Sequence, residues 1–281
     1  MNAYEFFFSP VLFALLGLLI GSFLNVVIYR VPLMMERAWM HDFANQLRED
    51  VKLPPAITLA LPGSACRSCG HKIRWYENVP VVSYLCLRGK CAGCSSKISL
   101  RYPLVEITTA VLFSLIAWKF GPLPVVLFWA LFAAALIALA GIDWDTTLLP
   151  DDITLPLLWA GVMAAAMGWT VPLLDAVTGA AVGYLILWTV YWAFKLLTGK
   201  EGMGYGDFKL LAALGAGLGW QAIVPILIGA GMLGTIGGLW MKFQSELRDG
   251  KYVPFGPFLA VAGISVMFMK GTPLEKLCCS L

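Results

Sequence analysis

Between residues 6 and 29 the chain carries no charged side chain, and that run constrains its fold more than any other feature. A helix needs roughly 20 apolar residues to cross about 30 Å of hydrocarbon, and this segment supplies them. Its flank, "MNAYE", is acidic rather than basic, and no small-x-small cleavage site follows. The segment is therefore expected to remain as a first helix rather than to leave as a signal peptide. Further apolar runs lie near 102–118, 120–142, 153–167, 172–194, 207–219, 221–241 and 254–269. Residues 210–241 have no charge, but about 48 Å of continuous helix would overshoot a bilayer, and "LGWQAIVP" offers the break. The predicted fold is an all-α polytopic membrane protein with about eight transmembrane helices, the sixth unusually short. Composition agrees. The 281 residues are 59% hydrophobic and 13% charged, where soluble domains carry roughly a quarter charged residues.

The few charges are unevenly placed. Of the 20 Lys and Arg residues, 11 fall between Arg30 and Arg101. No aromatic residues interleave with them as in a nucleic-acid surface, so a basic loop beside a membrane helix is the better reading, and no nucleic-acid partner is expected. If this loop is cytoplasmic, alternation puts the loops near 143–152, 195–207 and 242–253 on the same side. Seventeen basic residues then lie inside, and only Lys119, Lys270 and Lys276 outside. The positive-inside rule sets both termini on the periplasmic face. The expected organisation is a first transmembrane helix (1–29), a cytoplasmic zinc-binding domain (30–101) and a seven-helix membrane domain (102–281).

Four of the seven cysteines read C66-R-S-C69 and C91-A-G-C94. Two such short pairs, separated by a stretch long enough to fold back, can close a tetrahedral zinc site through Cys66, Cys69, Cys91 and Cys94. Two disulfides or four free thiols are the alternative, disfavoured in a reducing cytoplasm. Tetrathiolate sites are usually structural, so the metal is expected to fold the loop. His71 is a substitute ligand that four cysteines make unnecessary. Cys86 is expected to be a buried small residue, and Cys278 and Cys279 have no assigned role.

A charge at a membrane helix is costly and needs a reason. "GIDWDTTLLPDDIT" supplies Asp143, Asp145, Asp151 and Asp152, and "GYGDFK" supplies Asp207 and Lys209. The intervening helices form a hairpin, so Asp143 and Asp207 are expected on one face of the membrane. Two carboxylates brought together there share a proton; one serves as base toward water while the other polarises a carbonyl. The plainer account of each acid is an interfacial helix cap, which suits Asp151 and Asp152 after Pro150. Asp175 falls on the opposite face as a turn residue, Glu106 lies just inside the second helix, and Lys209 is a snorkelling lysine or a contact of the pair. Gly202, Gly204 and Gly206 permit close backbone approach beside Asp207.

These segments together resemble the bacterial type IV prepilin peptidases, membrane aspartic proteases with a Gly-x-Gly-Asp motif. The likeness runs through "GSFLNVVIYRVP", the C-x-x-C pairs, "IRWYENVPVVSYLCLRGKC", "ISLRYPLVE", "DWDTTLLPD" and "GYGDFKLLAALG". It implies an inner-membrane enzyme that removes the basic leader of prepilins and pilin-like type II secretion proteins after a glycine. By motif the catalytic aspartates are Asp143 and Asp207. Asp145 is the rival for the first role, and Asp143 is preferred because related enzymes with one acid there place it seven residues before the proline, here Pro150. Members with the cysteine loop also methylate the new N-terminal residue using S-adenosylmethionine. That activity rests on the resemblance alone, since no glycine-rich nucleotide motif follows a strand. The acidic stretch 143–152 is expected to attract the basic leader. Other readings are a transporter or channel with a zinc-stabilised domain, and a membrane scaffold. The first would be supported by inverted repeats, which the halves do not show. The second leaves the Gly-x-Gly-Asp stretch unexplained.

Overall fold

The computed structural model describes residues 7–47, 53–243 and 253–271. Arg48, Lys52, Arg248, Lys251 and Lys276 of the charge count, and Cys278 and Cys279, lie outside them. Among the described residues the regular structure is helical: α1 (Pro10–Leu47), α2 (Val82–Cys86), α3 (Arg101–Phe120), α4 (Val125–Thr146), α5 (Asp151–Ala166), α6 (Leu173–Thr198), α7 (Tyr205–Leu218), α8 (Ile223–Phe243) and α9 (Gly256–Met269). All eight predicted apolar helices are present. Five segments are long and apolar enough to cross a membrane: α1, α3, α4, α6 and residues Trp220–Phe243, which include α8. The chain is a membrane protein. It forms two compact units, Met1–Ala134 and Ala135–Leu281, whose boundary falls inside α4.

In the first unit α1 and α3 pack antiparallel at very close range. A Cβ on Gly17 would lie 2.6 Å from the Ala110 Cα, and one on Gly21 would lie 2.7 Å from the Glu106 Cα. One turn further on, Asn25 donates to the Tyr102 carbonyl at 3.1 Å. Membrane helices gain little from burying apolar surface against one another, so small residues that admit close contact supply the packing. The apolar run ends at Tyr29, but α1 continues to Leu47. Arg30, buried at that junction, donates to the carbonyls of Thr58 (2.8 Å) and Pro62 (2.6 Å), and Arg37 donates to that of Pro54 (2.9 Å). The two arginines strap the returning chain onto the extended part of the helix.

The second unit is built around α7. A helix of 14 residues spans only about 21 Å. Every residue from Leu210 to Leu218 is buried, as are Asp207 and Phe208. Glycines let the neighbours close in. A Cβ on Gly179 of α6 would meet the Gly215 oxygen, one on Gly183 would meet that of Leu211 at 2.7 Å, and one on Gly161 of α5 would meet the Gly217 nitrogen at 2.9 Å. Gly219 ends α7 at φ +84°, a left-handed value that favours glycine, and a short turn at Trp220–Ala222 leads into α8. The break expected in "LGWQAIVP" is there. Asp175, expected as a turn residue, accepts from Gln221 Nε2 at 3.2 Å and ties that turn to the start of α6.

Candidate active site

Asp143 sits in the last turn of α4 and Asp207 in the first turn of α7. They are 4% and 7% exposed, respectively, and close enough for their charges to interact. Two contacts bring their motifs together. A Cβ on Gly206 would lie 2.6 Å from that of Leu149, so the loop after Asp143 presses on the "GYGD" turn. Lys209 Nζ then pairs with both oxygens of Asp151 at 2.7 Å, linking α7 to α5. Around the start of α7, the rings of Tyr191, Tyr205 and Phe208 pack at centroid distances of 5.2–5.7 Å.

The two carboxylates differ in their partners. Asp143 Oδ2 accepts the Gly256 N–H at 2.8 Å, from the first residue of α9. A Cβ on Gly256 would lie 2.8 Å from that same oxygen, so only glycine brings the backbone donor so near. Asp207 Oδ1 is buried with no hydrogen-bond partner among the described residues. Such a group costs about 1–3 kcal/mol and calls for an explanation. Two adjacent carboxylates, one with an unspent oxygen, can divide acid and base work on a third molecule. Asp145, two residues along the helix from Asp143, is exposed.

Several expectations about the flanking residues change here. Lys209 is held by Asp151 rather than by the aspartate pair, so the Asp151 charge is already matched within the protein. Asp152 remains exposed on the first turn of α5. None of Gly202, Gly204 and Gly206 has a positive φ. Gly202 packs on the Phe194 ring, Gly206 packs on Leu149, and a Cβ on Gly204 would meet nothing nearer than the Gly206 nitrogen at 4.0 Å. Sequence reasoning missed Gly256, because a backbone N–H has no residue-type signature.

In the first unit, the Sγ atoms of Cys66, Cys69, Cys91 and Cys94 lie within 4.8 Å of one another. Cys66–Cys94 is 3.9 Å and Cys69–Cys91 is 4.0 Å, near the roughly 3.8 Å edge of a tetrahedron with 2.3 Å zinc–sulfur bonds. No disulfide joins any of the four, so the disulfide alternative does not describe this fold. Each pair sits in the same knuckle. Cys66 N–H donates to His71 O and Gly70 N–H to Cys66 O; Cys91 N–H donates to Ser96 O and Ser95 N–H to Cys91 O, all at 2.9 Å. Backbone N–H groups of Ser68 and Cys69, with the Ser96 hydroxyl, hold the Cys66 thiol down to about 5. Hydrogen bonds with Ser96 likewise lower Cys94. The His71 N–H favours a Cys69 thiolate, but Cys94 and partial burial outweigh it and push Cys69 up to about 12. Crowded thiolates of this kind fit a soft divalent cation such as zinc. His71 stays outside the set, with Nε2 3.1 Å from Glu77 Oε2. Cys86 departs from expectation: it is exposed, because no described residue covers that side of the five-residue α2.

Comparison with known proteins gives a consistent set of relatives. Residues 15–120 match the bacterial peptidase A24 N-terminal domain, and residues 130–239 match the type IV leader peptidase family. A Pseudomonas putida protein is 52% identical over 248 residues, covering 88% of this chain and 86% of its own length. A relative from Aeromonas salmonicida is 50% identical over 252 residues (89% and 87%), and one from Stutzerimonas stutzeri is 48% identical over 273 residues (94% and 93%). Each is named a prepilin leader peptidase/N-methyltransferase. No solved structure matches the chain.

Proposed function

The chain belongs to the type IV leader peptidase family, and from that premise we propose that it cleaves the basic leader from prepilins and pilin-like type II secretion proteins through Asp143 and Asp207, then N-methylates the new terminus with S-adenosylmethionine. The observation that carries the proteolytic part is the buried, unpartnered Oδ1 of Asp207 beside a second buried carboxylate. One aspartate takes a proton from the attacking water, and the other, protonated, hydrogen-bonds the scissile carbonyl as its oxygen gains charge. The amine then leaves with a proton returned from the pair. Asp143 is held in place by Gly256, and the open space at Gly204 offers an extended substrate backbone a way to Asp207.

The enzyme sits in the bacterial inner membrane with the aspartates and the zinc module facing the cytoplasm, where the leader lies. Residues 30–101 carry the zinc module, tied to methylation, and 102–281 carry the peptidase. Cys66, Cys69, Cys91 and Cys94 would hold the zinc, whose four bonds would tie the two knuckles together and give the loop between them a fixed fold. S-adenosylmethionine supplies an electrophilic methyl group.

The test gives a purified prepilin to the wild type and to Asp143→Asn, Asp145→Asn and Asp207→Asn, with and without S-adenosylmethionine. Product masses report cleavage and methylation separately. The pair predicts that Asp143→Asn and Asp207→Asn leave the leader attached while Asp145→Asn removes it. Full cleavage by Asp207→Asn would falsify the mechanism, and inactivity of Asp145→Asn alone would transfer the first role to it. For zinc, metal analysis of a Cys66→Ser/Cys69→Ser protein is expected to show one ion fewer per chain than the wild type. Equal metal content would remove zinc from the account.

A further inference from the structure

The first unit contains a cavity of about 590 Å³ at the membrane boundary, where the apolar part of α1 meets the beginning of α3 and both face the cysteine knuckles. That volume is in the range of small-molecule and cofactor sites. Its walls are unusual for the end of two membrane helices. Glu106, only 7% exposed, lines it from α3, and Glu77 lines it from the loop. Arg67 and Lys97 bring the opposite charge, and Tyr29, Tyr84 and Tyr102 bring aromatic surface. A ligand matched to such walls carries both signs of charge and a flat ring.

The groups around this cavity are also held in place. Glu106 Oε2 accepts the Val81 N–H at 2.7 Å, and Ser22 lines the cavity beside it. Val81 has φ +59°, a conformation that costs a β-branched residue energy and persists only where its surroundings impose it. Glu106 thus pins a strained turn that carries Ser83 and Tyr84 to the cavity wall. Asn25 spends its amide donors on the carbonyls of Gly21 and Tyr102. Arg67 Nη2 donates to the Tyr102 hydroxyl at 3.2 Å, and its guanidinium lies 3.7 Å from the Tyr29 ring centroid.

We propose that this cavity is the binding site for S-adenosylmethionine, with the buried Glu106 carboxylate facing the positively charged part of the donor. The assignment rests on the N-methylation reading above and adds the place where the donor sits. The ligand is a zwitterion with an extra sulfonium charge and an adenine ring. A buried carboxylate answers its cationic groups, Arg67 and Lys97 its carboxylate, and tyrosine faces its ring. Cys66 and Cys91 also line the cavity, so closing the knuckles shapes its roof.

The full-length protein in detergent is irradiated with S-adenosyl-[methyl-³H]methionine, and the labelled peptides are identified by mass spectrometry. Label is expected in peptides spanning 22–30, 64–84 or 96–106, displaced by S-adenosylhomocysteine but not by equimolar ATP. Label confined to 135–271, or displacement by ATP, overturns the assignment. Calorimetry on Glu106→Gln gives the second readout. Its amide oxygen still accepts from Val81, so a purely structural Glu106 predicts unchanged donor affinity, whereas the proposal predicts a loss of about tenfold. Unchanged zinc content and melting temperature establish that this variant is folded; a variant that loses either is replaced by Tyr102→Phe, for which the proposal predicts weaker binding and unchanged affinity counts against it. A wild type that neither binds the donor nor yields methylated product removes the methylation reading and this site together. One that methylates while its label maps elsewhere removes the site alone.

Discussion

Glu106 and Asp207 are each 7% exposed, and each stands near the start of an apolar helix. One Glu106 oxygen is spent on the Val81 N–H, holding a strained turn. Asp207 Oδ1 has no hydrogen-bond partner among the described residues. Burying a carboxylate in a membrane protein is expensive in both cases. The first unit recovers part of that expense as local order, whereas the second leaves it uncompensated among the described residues. Equal burial therefore does not imply equal purpose; the partners of each oxygen tell the two acids apart.

The contrast is tested most severely by activity. Replacing Asp207 by Asn is expected to lower the cleavage rate at least about a thousandfold, the scale of losing an acid–base group, as measured by leader release from a purified prepilin. A loss below tenfold breaks the distinction between the two carboxylates. Gly256→Ala comes next. Its new methyl group would lie 2.8 Å from Asp143 Oδ2, so it must displace the carboxylate or the start of α9. The expected fall in kcat is on the order of tenfold, with KM little altered, because positioning rather than substrate binding is damaged. An undiminished kcat would show that Asp143 tolerates movement.

Stability gives the opposite ordering. Truncating Glu106 to Ala orphans the Val81 N–H and is expected to cost about 1–3 kcal/mol, whereas Asp207→Ala removes an unpaired group and leaves stability unchanged or raised. Thermal melts of the two variants in the same detergent decide it, and a matching drop in both erases the comparison. The smallest effect belongs to the cysteine knuckles. Gly70 and Ser95 hold equivalent positions in the two turns at φ +72° and +59°. Ser95→Gly relieves a left-handed serine and is expected to gain about 0.5–1 kcal/mol, seen as slower zinc loss to a chelator. Faster loss would mean that the serine contributes something its backbone does not show.

The helices were legible because hydropathy changes sharply at their ends, and the break between α7 and α8 because one uncharged run was too long for a bilayer and held "LGWQAIVP", where Gly219 ends α7. Asp143 and Asp207 stood out because charges are scarce in apolar sequence, and the four cysteines because their spacing is short. What stayed hidden depends on partners distant in the chain. The Gly256 N–H meets Asp143 across 113 residues, and Arg30 finds the carbonyls of Thr58 and Pro62 only after the chain has turned back. The exposure of Cys86 follows from what fails to cover α2, which no local pattern encodes. The overrun of α1 to Leu47 was concealed for another reason: the helix outlasts its apolar stretch, and hydropathy reports the solvent rather than the backbone.

The enclosure of α7 bears on how the enzyme experiences its lipid. Its buried face runs from Leu210 to Leu218 without interruption, so acyl chains do not solvate that stretch. Changes in bilayer thickness act first on α6 and the Trp220–Phe243 segment, which have lipid-length apolar surfaces, and reach Asp207 through the packing of α6 on α7, where Gly179, Gly183 and the Tyr191 ring make the contact. The amides of α7 should accordingly be among the last to exchange with deuterium, whatever the chain length of the surrounding lipid.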